Sequence, residues 1–168
     1  MNISHNIKKR EGMHDPFDRR VDFIGVALVF GRLKNSGKVW DIIQPQLDHL
    51  LRSNNLFAEA PFLWVGINYR YGIKNDLQVE FTRPHKKYGD VGASVELNME
   101  ILMWADKNNV NLLRDIFMVA ALEALIQVCK KYKLPKVHLI EEERAKYHDI
   151  PNTIEEAQAF GEEGLLKE

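Results

Sequence analysis

Apolar and polar residues alternate with a period of two along the middle of the chain, which is typical of a strand with one buried face. The clearest run is GASVELNMEILMW at residues 92–104, which predicts one strand. Its polar face begins with four residues: Ser94, Glu96, Asn98 and Glu100. The runs at residues 62–71 and 76–83 alternate in the same way. The short link at residues 72–75 predicts that these two form an antiparallel hairpin.

Two segments nearer the N-terminus predict a strand followed by a helix. Residues 21–30 are apolar or small and predict a short buried strand. Apolar residues at helical spacing predict a helix over residues 38–52, for which Ser36 is available as an N-cap. Because Pro45 lacks an N–H donor inside that stretch, we expect a kink or two abutting short helices.

The period changes to helical after the alternating runs, and residues 110–132 predict the longest helix. It is apolar almost all round, apart from a narrow polar stripe formed by Glu123, Gln127, Lys130 and Lys131. Such a helix is covered on more than one side, either by the rest of the chain or by a second subunit. Pro135 ends it, and residues 137–140 predict a short strand. Thr153 followed by Glu156 predicts a capping box for a last helical turn.

The elements follow the order β-α-β-β-β-α-β, which predicts an α+β two-layer sandwich. In this fold a mostly antiparallel sheet carries two main helices on one face. A length of 168 residues suits a single core. We expect a flexible N-terminal arm at residues 1–20, one α+β domain at residues 21–140, and an acidic C-terminal tail with a short helix at residues 141–168.

Charge is divided unevenly along the chain. The net charge is −1, but residues 141–168 contain nine acidic and three basic residues and so carry −6, which leaves +5 for residues 1–140. Such a tail is usually solvated and mobile, and it can also dock on a basic partner. No apolar run reaches the roughly 18 residues of a membrane span, and no apolar segment follows the basic residues near the start. We therefore expect a cytoplasmic protein that does not bind membranes.

The segment GRLKNSGK at residues 31–38 lies where a phosphate-binding loop would lie, between a predicted strand and a predicted helix. However, its glycines are separated by five residues instead of four, and Val39 follows in place of the Ser or Thr that binds magnesium. The six histidines include no helical i, i+4 pair, and the single cysteine, Cys129, is typical of a small buried apolar residue. The sequence therefore predicts no metal site and no cofactor.

The carboxylates of the alternating strands leave three interpretations open. If Glu80 and Glu96 lie on adjacent strands, one of them can have a raised pKa and act as a general acid, in a cleft that includes His85. Alternatively, the face is simply solvated, and Arg70 neutralises the carboxylates in cross-strand pairs. The third interpretation is a surface that docks another protein.

A docking surface would combine this polar face with two tryptophans that fall opposite the apolar faces of their strands. The predicted partner-binding residues are Trp64, Asn68, Arg70, Glu80, Glu96, Asn98, Glu100 and Trp104. Nucleic acid fits this surface poorly, because the basic segment RPHKKYGD at residues 83–90 adjoins carboxylates that repel phosphates.

One segment carries a resemblance to known proteins, VELNMEILMWADKNNVNLLRDIFMVAALEALIQVCKKYKLP at residues 95–135. Its layout resembles the strand and long helix of small bacterial immunity proteins, which belong to polymorphic-toxin or contact-dependent inhibition systems. The resemblance extends over residues 20–140. It implies a cytoplasmic protein without enzymatic activity that binds the C-terminal domain of one cognate toxin, and it transfers no individual site residue.

Three functional hypotheses follow. The first is an immunity protein that neutralises a toxin by direct association. The second is a small enzyme or ligand-binding domain whose site lies near Glu80, Glu96 and His85. The third is a homodimer that forms through the helix at residues 110–132 and has no catalytic activity.

Overall fold

The computed structural model describes residues 23–26, 33–54, 63–70, 72, 75–82, 91–131 and 133–168. The strands in this part of the chain are β1 (Phe23–Val26), β2 (Leu63–Arg70), β3 (Asp76–Thr82) and β4 (Val91–Asn98). The helices are α1 (Ser36–Ser53), α2 (Met99–Asn108), α3 (Val110–Lys131), α4 (Val137–Arg144) and α5 (Ile154–Gln158). The arm predicted at residues 1–20 lies outside the described residues.

The four strands form one sheet in the order β1-β2-β4-β3. β2 is parallel to both β1 and β4, and β3 is antiparallel to β4. α1 lies in the connection from β1 to β2, since parallel neighbours need a long crossover rather than a tight turn. The predicted hairpin between β2 and β3 is wrong, because β4 lies between them.

α3 is the central helix of the core and contacts strands β2, β3 and β4 as well as helices α1, α2 and α4. Fifteen of its 22 residues are buried, and Phe117 is the largest side chain that is fully enclosed. The prediction that this helix is covered on more than one side is therefore confirmed. Since the cover comes from the chain itself, the apolar surface of this helix no longer gives a reason to expect a homodimer.

The predicted fold class is wrong. Of the residues whose side chains are described, 64% are helical and only 7% are extended. The described part of the chain contains five helices instead of two main ones, and two of its three strand pairings are parallel. This part is thus mostly helical, and it is not a sandwich dominated by an antiparallel sheet.

Two segments that were predicted as strands belong to helices. The alternating run at residues 92–104 leaves the sheet after Asn98, and Met99 begins α2. From there the buried side chains follow helical spacing: Met99, Ile101, Leu102, Ala105 and Asp106. The run is apolar enough to satisfy both periods, and packing against α3 selects the helix. Residues 137–140 likewise form the first turn of α4, which also packs on α3.

α1 runs as a single helix through Pro45, so of the two predicted alternatives, a kink or two abutting short helices, the second is wrong. Pro45 is exposed, and water can therefore satisfy the carbonyl that loses its helical partner. Ser36 is the first residue of the helix instead of its cap, and its hydroxyl donates to the Leu33 carbonyl at 3.1 Å.

The C-terminal segment (residues 141–168) packs against the rest of the chain. Leu165 is fully buried. The predicted cap of α5 is confirmed, because the Glu156 backbone N–H donates to Thr153 Oγ1 at 3.1 Å. The Glu156 carboxylate accepts a hydrogen bond in return, from the Asn152 N–H at 2.8 Å. This segment was expected to be a mobile tail, but it contributes four buried side chains to the core: Tyr147, Ile150, Ala157 and Leu165.

Candidate partner-binding surface

The polar face of the sheet is centred on Glu96 in β4. Strand pairing places its Cα opposite Asn68 of β2 and Asp76 of β3. In the next row Ser94 lies opposite Glu80 of β3. Positions that are paired in this way share a face of a pleated sheet. The register therefore brings Asn68, Glu80 and Glu96 to the same face, in agreement with the alternation.

Burial along β4 confirms which face is covered. Val95 and Leu97 are 1% and 0% exposed and belong to the core, whereas Glu96 between them is half-buried. The apolar side chains of β4 thus pack inward, where α3 contacts the strand. Glu96 lies on the opposite face, which leaves its side chain within reach of a partner.

Asn98, which was predicted to contact a partner, has a structural role in the fold. It is the N-cap of α2, and its Oδ1 accepts from the Ile101 N–H at 3.1 Å. Its own backbone N–H donates to Asn75 Oδ1 at 2.7 Å. Because Asn98 is only 7% exposed, its described contacts stabilise the corner between β4 and α2.

Glu100 and Trp104 lie on α2 instead of on a strand. Glu100 is exposed in the first turn of the helix, where a carboxylate interacts favourably with the helix dipole. Trp104 is half-buried and packs against the core. Met103, which the strand pattern predicts to be buried, is 39% exposed beside them. The exposed side of α2 thus carries a carboxylate and one apolar side chain.

Two further predicted residues are described by their backbone positions. Trp64 lies near one end of β2 and pairs with Phe23 and Gly92. Arg70 lies at the other end of β2 and pairs with Asn98. Because these positions span β2 from one end to the other, the two residues are not brought together.

The enzymatic interpretation depends on three residues: Glu80, Glu96 and His85. Pairing places Glu80 opposite Ser94, so the two carboxylate-bearing residues occupy successive rows instead of facing each other. His85 lies outside the described residues. Nothing in the described geometry favours a catalytic pair over a docking surface.

The segment that resembles a phosphate-binding loop is held by a carboxylate of the chain itself. The N–H groups of Lys34 and Asn35 each donate to the Asp106 carboxylate at 2.7 Å. Asp106 is 9% exposed. These donors, which a phosphate would need, are already engaged, and this agrees with the mismatched glycine spacing.

The C-terminal segment presents an acidic surface, which we define as the exposed carboxylates that form no ion pair with any other described residue. They are Glu141, Glu142, Glu155, Glu156, Glu162, Glu163 and Glu168. Two of its three cations are paired: Arg144 with Glu123 and Asp149, and Lys146 with Glu143. The surplus of negative charge therefore faces solvent.

Cys129 is 1% exposed, and burial together with the nearby negative charge of Glu141 raises the pKa of its thiol to about 12. A thiol in this state is neutral at physiological pH and is a poor nucleophile. Among the described residues, no group of three or more His, Cys, Asp or Glu side chains is arranged to hold a metal ion. None of the described helices has the length and apolar composition needed to cross a bilayer.

The sequence interpretation missed several polar residues that the structure uses. Asp76 joins the row of Glu96, but only strand register reveals this position. Asp115 is 3% exposed and binds the C-terminal segment. A buried polar residue in a helical stretch, such as Asp115, is the sequence signal that would have indicated these contacts.

Comparison with known protein families matches residues 17–146 of the chain to Immunity protein 39. The chain belongs to this family. The Immunity protein 39 match includes all four strands, helices α1 to α3 and the whole of α4. It places the protein in a toxin-immunity system, which confirms the resemblance that the sequence indicated. Searches of curated proteins and of solved structures gave no match.

Proposed function

We propose that the protein neutralises one cognate toxin by binding the toxin's C-terminal domain directly, without catalysis, in the cytoplasm of the bacterium that makes both. The observation that carries this proposal is membership of the Immunity protein 39 family over residues 17–146. An immunity protein requires a toxin partner. Direct association is the simplest mechanism, because the described residues assemble a rigid polar surface rather than a recognisable catalytic group.

The proposed docking surface is the outer face of the sheet together with the exposed side of α2. Glu96 lies at its centre, with Asn68 and Glu80 at neighbouring register positions, and Glu100 extends it onto α2. Met103, which is 39% exposed, provides an apolar contact of the kind found in interface centres. Trp64 and Arg70 remain predicted contacts at the two ends of β2. Asn98 and Trp104 stabilise α2, the helix that carries part of this surface.

The charge of the chain suggests the chemistry of the partner. Carboxylates predominate on the proposed docking surface, and the acidic surface of the C-terminal segment adds to the negative field. Opposite charges accelerate encounter and exclude wrong partners. We therefore propose that the toxin domain is basic where it is bound, as expected for a protein that acts on nucleic acid.

The experiment uses the toxin domain encoded next to this chain, measured by calorimetric titration at fixed salt. We expect Glu96→Lys and Glu100→Lys each to raise the dissociation constant at least tenfold, which corresponds to a loss of about 1.4 kcal/mol in binding free energy. Asp41→Lys is the matched control, because Asp41 is exposed on α1 and the charge change is the same. Circular dichroism verifies that each variant is folded.

The possible results separate the function from the surface. If the wild-type chain does not bind or neutralise the toxin domain, the proposed function is wrong. If the wild type binds and all three variants bind equally well, the function stands and the docking surface lies elsewhere. Glu155→Lys with Glu162→Lys tests the acidic surface, and we expect a lower association rate constant that becomes less sensitive to salt.

A further inference from the structure

The last residues of the chain are held by two polar side chains of the helical core. Asn109 Nδ2 donates to the carbonyl oxygens of Gly161 and Glu163, both at 2.8 Å. Asp115 Oδ2 accepts from the N–H groups of Leu165 and Leu166 at 2.8 and 3.4 Å. Residues 161–167, which we call the latch, are thus bound through their backbone by both a donor and an acceptor.

The latch also pairs with the segment that follows α4. The His148 N–H donates to the Leu165 carbonyl and the Lys167 N–H donates to the Lys146 carbonyl, each at 2.7 Å. These bonds form a short antiparallel bridge between Tyr147 and Leu166. The latch therefore lies between the start of α3 and the end of α4 and connects the two.

Gly164 is required by the way in which the latch approaches α3. A Cβ atom at this position would clash with Asp115 Oδ2 and would lie 2.9 Å from the Asn111 carbonyl oxygen. The contact with Asp115 is shorter than any real contact, so a larger residue would force the backbone away from the carboxylate. The close approach of Gly164 to Asp115 therefore exists only while the latch lies against α3.

The latch buries few side chains against the rest of the chain. Leu165 is its only fully buried side chain, whereas Glu162, Glu163, Leu166 and Lys167 are exposed. A segment with few buried apolar contacts and partly exposed hydrogen bonds opens at a lower free energy than the core. The latch also lies beyond residue 146, where the match to the Immunity protein 39 family ends.

We infer that residues 161–167 open and close as one unit while the helical core stays folded, and that closure fixes the corner between α2 and α3. Asn109 is the key residue, because it occupies that corner. Its backbone N–H donates to the Ala105 carbonyl at the end of α2, and its Oδ1 accepts from the Leu112 N–H at the start of α3. The same side chain holds the latch through Nδ2, so latch and corner share one carboxamide.

Closure of the latch also positions part of the proposed docking surface, because α2 carries Glu100. This consequence rests on the proposed function, but the latch itself is tested without a toxin. A failure of the latch experiment therefore leaves the proposed function unaffected, and the reverse is also true.

The test is hydrogen exchange measured by mass spectrometry on the full chain. In Asn109→Asp the side chain still accepts from Leu112, since Asp is as good an N-cap as Asn, but it no longer donates to Gly161 and Glu163. We expect the amides of residues 161–167 to exchange at least tenfold faster, while those of α3 change less than twofold. Asn108→Asp is the control and should leave the latch within twofold of wild type, because it adds the same charge one position away and the exposed Asn108 side chain bonds the Trp104 carbonyl of α2 instead of the latch.

Equal acceleration in the latch and in α3 would show global unfolding and overturn the proposal, as would unchanged exchange in the latch. If Asn109→Asp does not fold, the urea dependence of hydrogen exchange in the wild type tests the proposal instead. At low urea concentration, latch amides should exchange at a rate that hardly depends on urea, whereas exchange in α3 should accelerate with urea. Identical urea dependence in both regions would also overturn the proposal.

Discussion

Asn35 and Asp106 are joined by two hydrogen bonds across 71 positions of sequence. The Asn35 backbone N–H donates to Asp106 Oδ1 at 2.7 Å, and Asn35 Nδ2 donates to the Asp106 carbonyl oxygen at 3.1 Å. The second carboxylate oxygen accepts from the Lys34 N–H at 2.7 Å. The end of α2 thus determines where α1 begins.

Asp106→Ala removes both carboxylate acceptors and leaves the N–H groups of Lys34 and Asn35 without their partner. Hydrogen bonds to charged groups contribute about 1.5–3 kcal/mol each, and since water can reach part of this site we expect a total loss of about 3 kcal/mol. Urea denaturation monitored by circular dichroism measures the free energy of unfolding. Asp41→Ala, which truncates an exposed carboxylate on α1, should change it by less than about 0.5 kcal/mol. Equal effects of the two variants would contradict this prediction.

Asn98 should influence stability more than partner binding. Asn98→Ala removes the cap of α2, which accepts from Ile101 at 3.1 Å, and we expect a loss of about 1–2 kcal/mol in the free energy of unfolding. Asn98→Asp keeps the accepting oxygen and should recover a large part of that loss. Thermal unfolding compares the three proteins, and a wild-type midpoint for Asn98→Ala would show that the cap contributes nothing.

Arg144 connects α4 to two carboxylates of different exposure. Its Nε lies 2.8 Å from Glu123 Oε1, whose side chain is 26% exposed, and its Nη2 lies 2.7 Å from Asp149, whose side chain is 96% exposed. Water and salt screen exposed pairs, which typically contribute less than about 1 kcal/mol. We therefore expect Glu123→Gln to destabilise the protein more than Asp149→Asn does. The free energies of unfolding of the two variants decide this, and the reverse order would refute it.

Cys129 links stability to high pH. Burial and the charge of Glu141 raise the pKa of its thiol from 9.0 to about 12 in the folded protein. Above pH 9.0 the unfolded chain therefore loses a proton that the folded chain keeps. The contribution of this thiol is complete below that pH and is lost as the pH rises toward about 12. We expect the difference in the free energy of unfolding between wild type and Cys129→Ala to decrease over this range.

Some elements were predictable because their sequence signals are local. The helix α3 was predicted from the length and apolar composition of its segment. Residues of its narrow polar stripe bind neighbouring elements in the structure. Glu123 binds Arg144 of α4, and Gln127 Nε2 donates to the Leu77 carbonyl of β3. Thr153 and Glu156 likewise predicted the start of α5, because a capping box forms within four residues.

The proposed docking surface was only partly predictable. Alternation placed Glu96 correctly on the outer face of β4, since a strand has a period of two wherever it lies. It could not show where the strand ends, because residues 99–104 satisfy both the strand and the helix pattern. For this reason Glu100 and Trp104 were assigned to a strand, although α2 carries them, and the role of Asn98 as the cap of that helix was not predicted.

By itself, the sequence determined the local elements and the resemblance to immunity proteins, because periodicity, caps and composition act between neighbours along the chain. Only the tertiary structure decided the parallel strand order, the helical fate of residues 99–108 and 137–144, and the folding of the acidic segment onto the core. These depend on contacts between distant residues, such as Asp115 with Leu165 at 2.8 Å. Burying an apolar side chain and satisfying a buried carboxylate together outweighed the local preference of that segment for solvent.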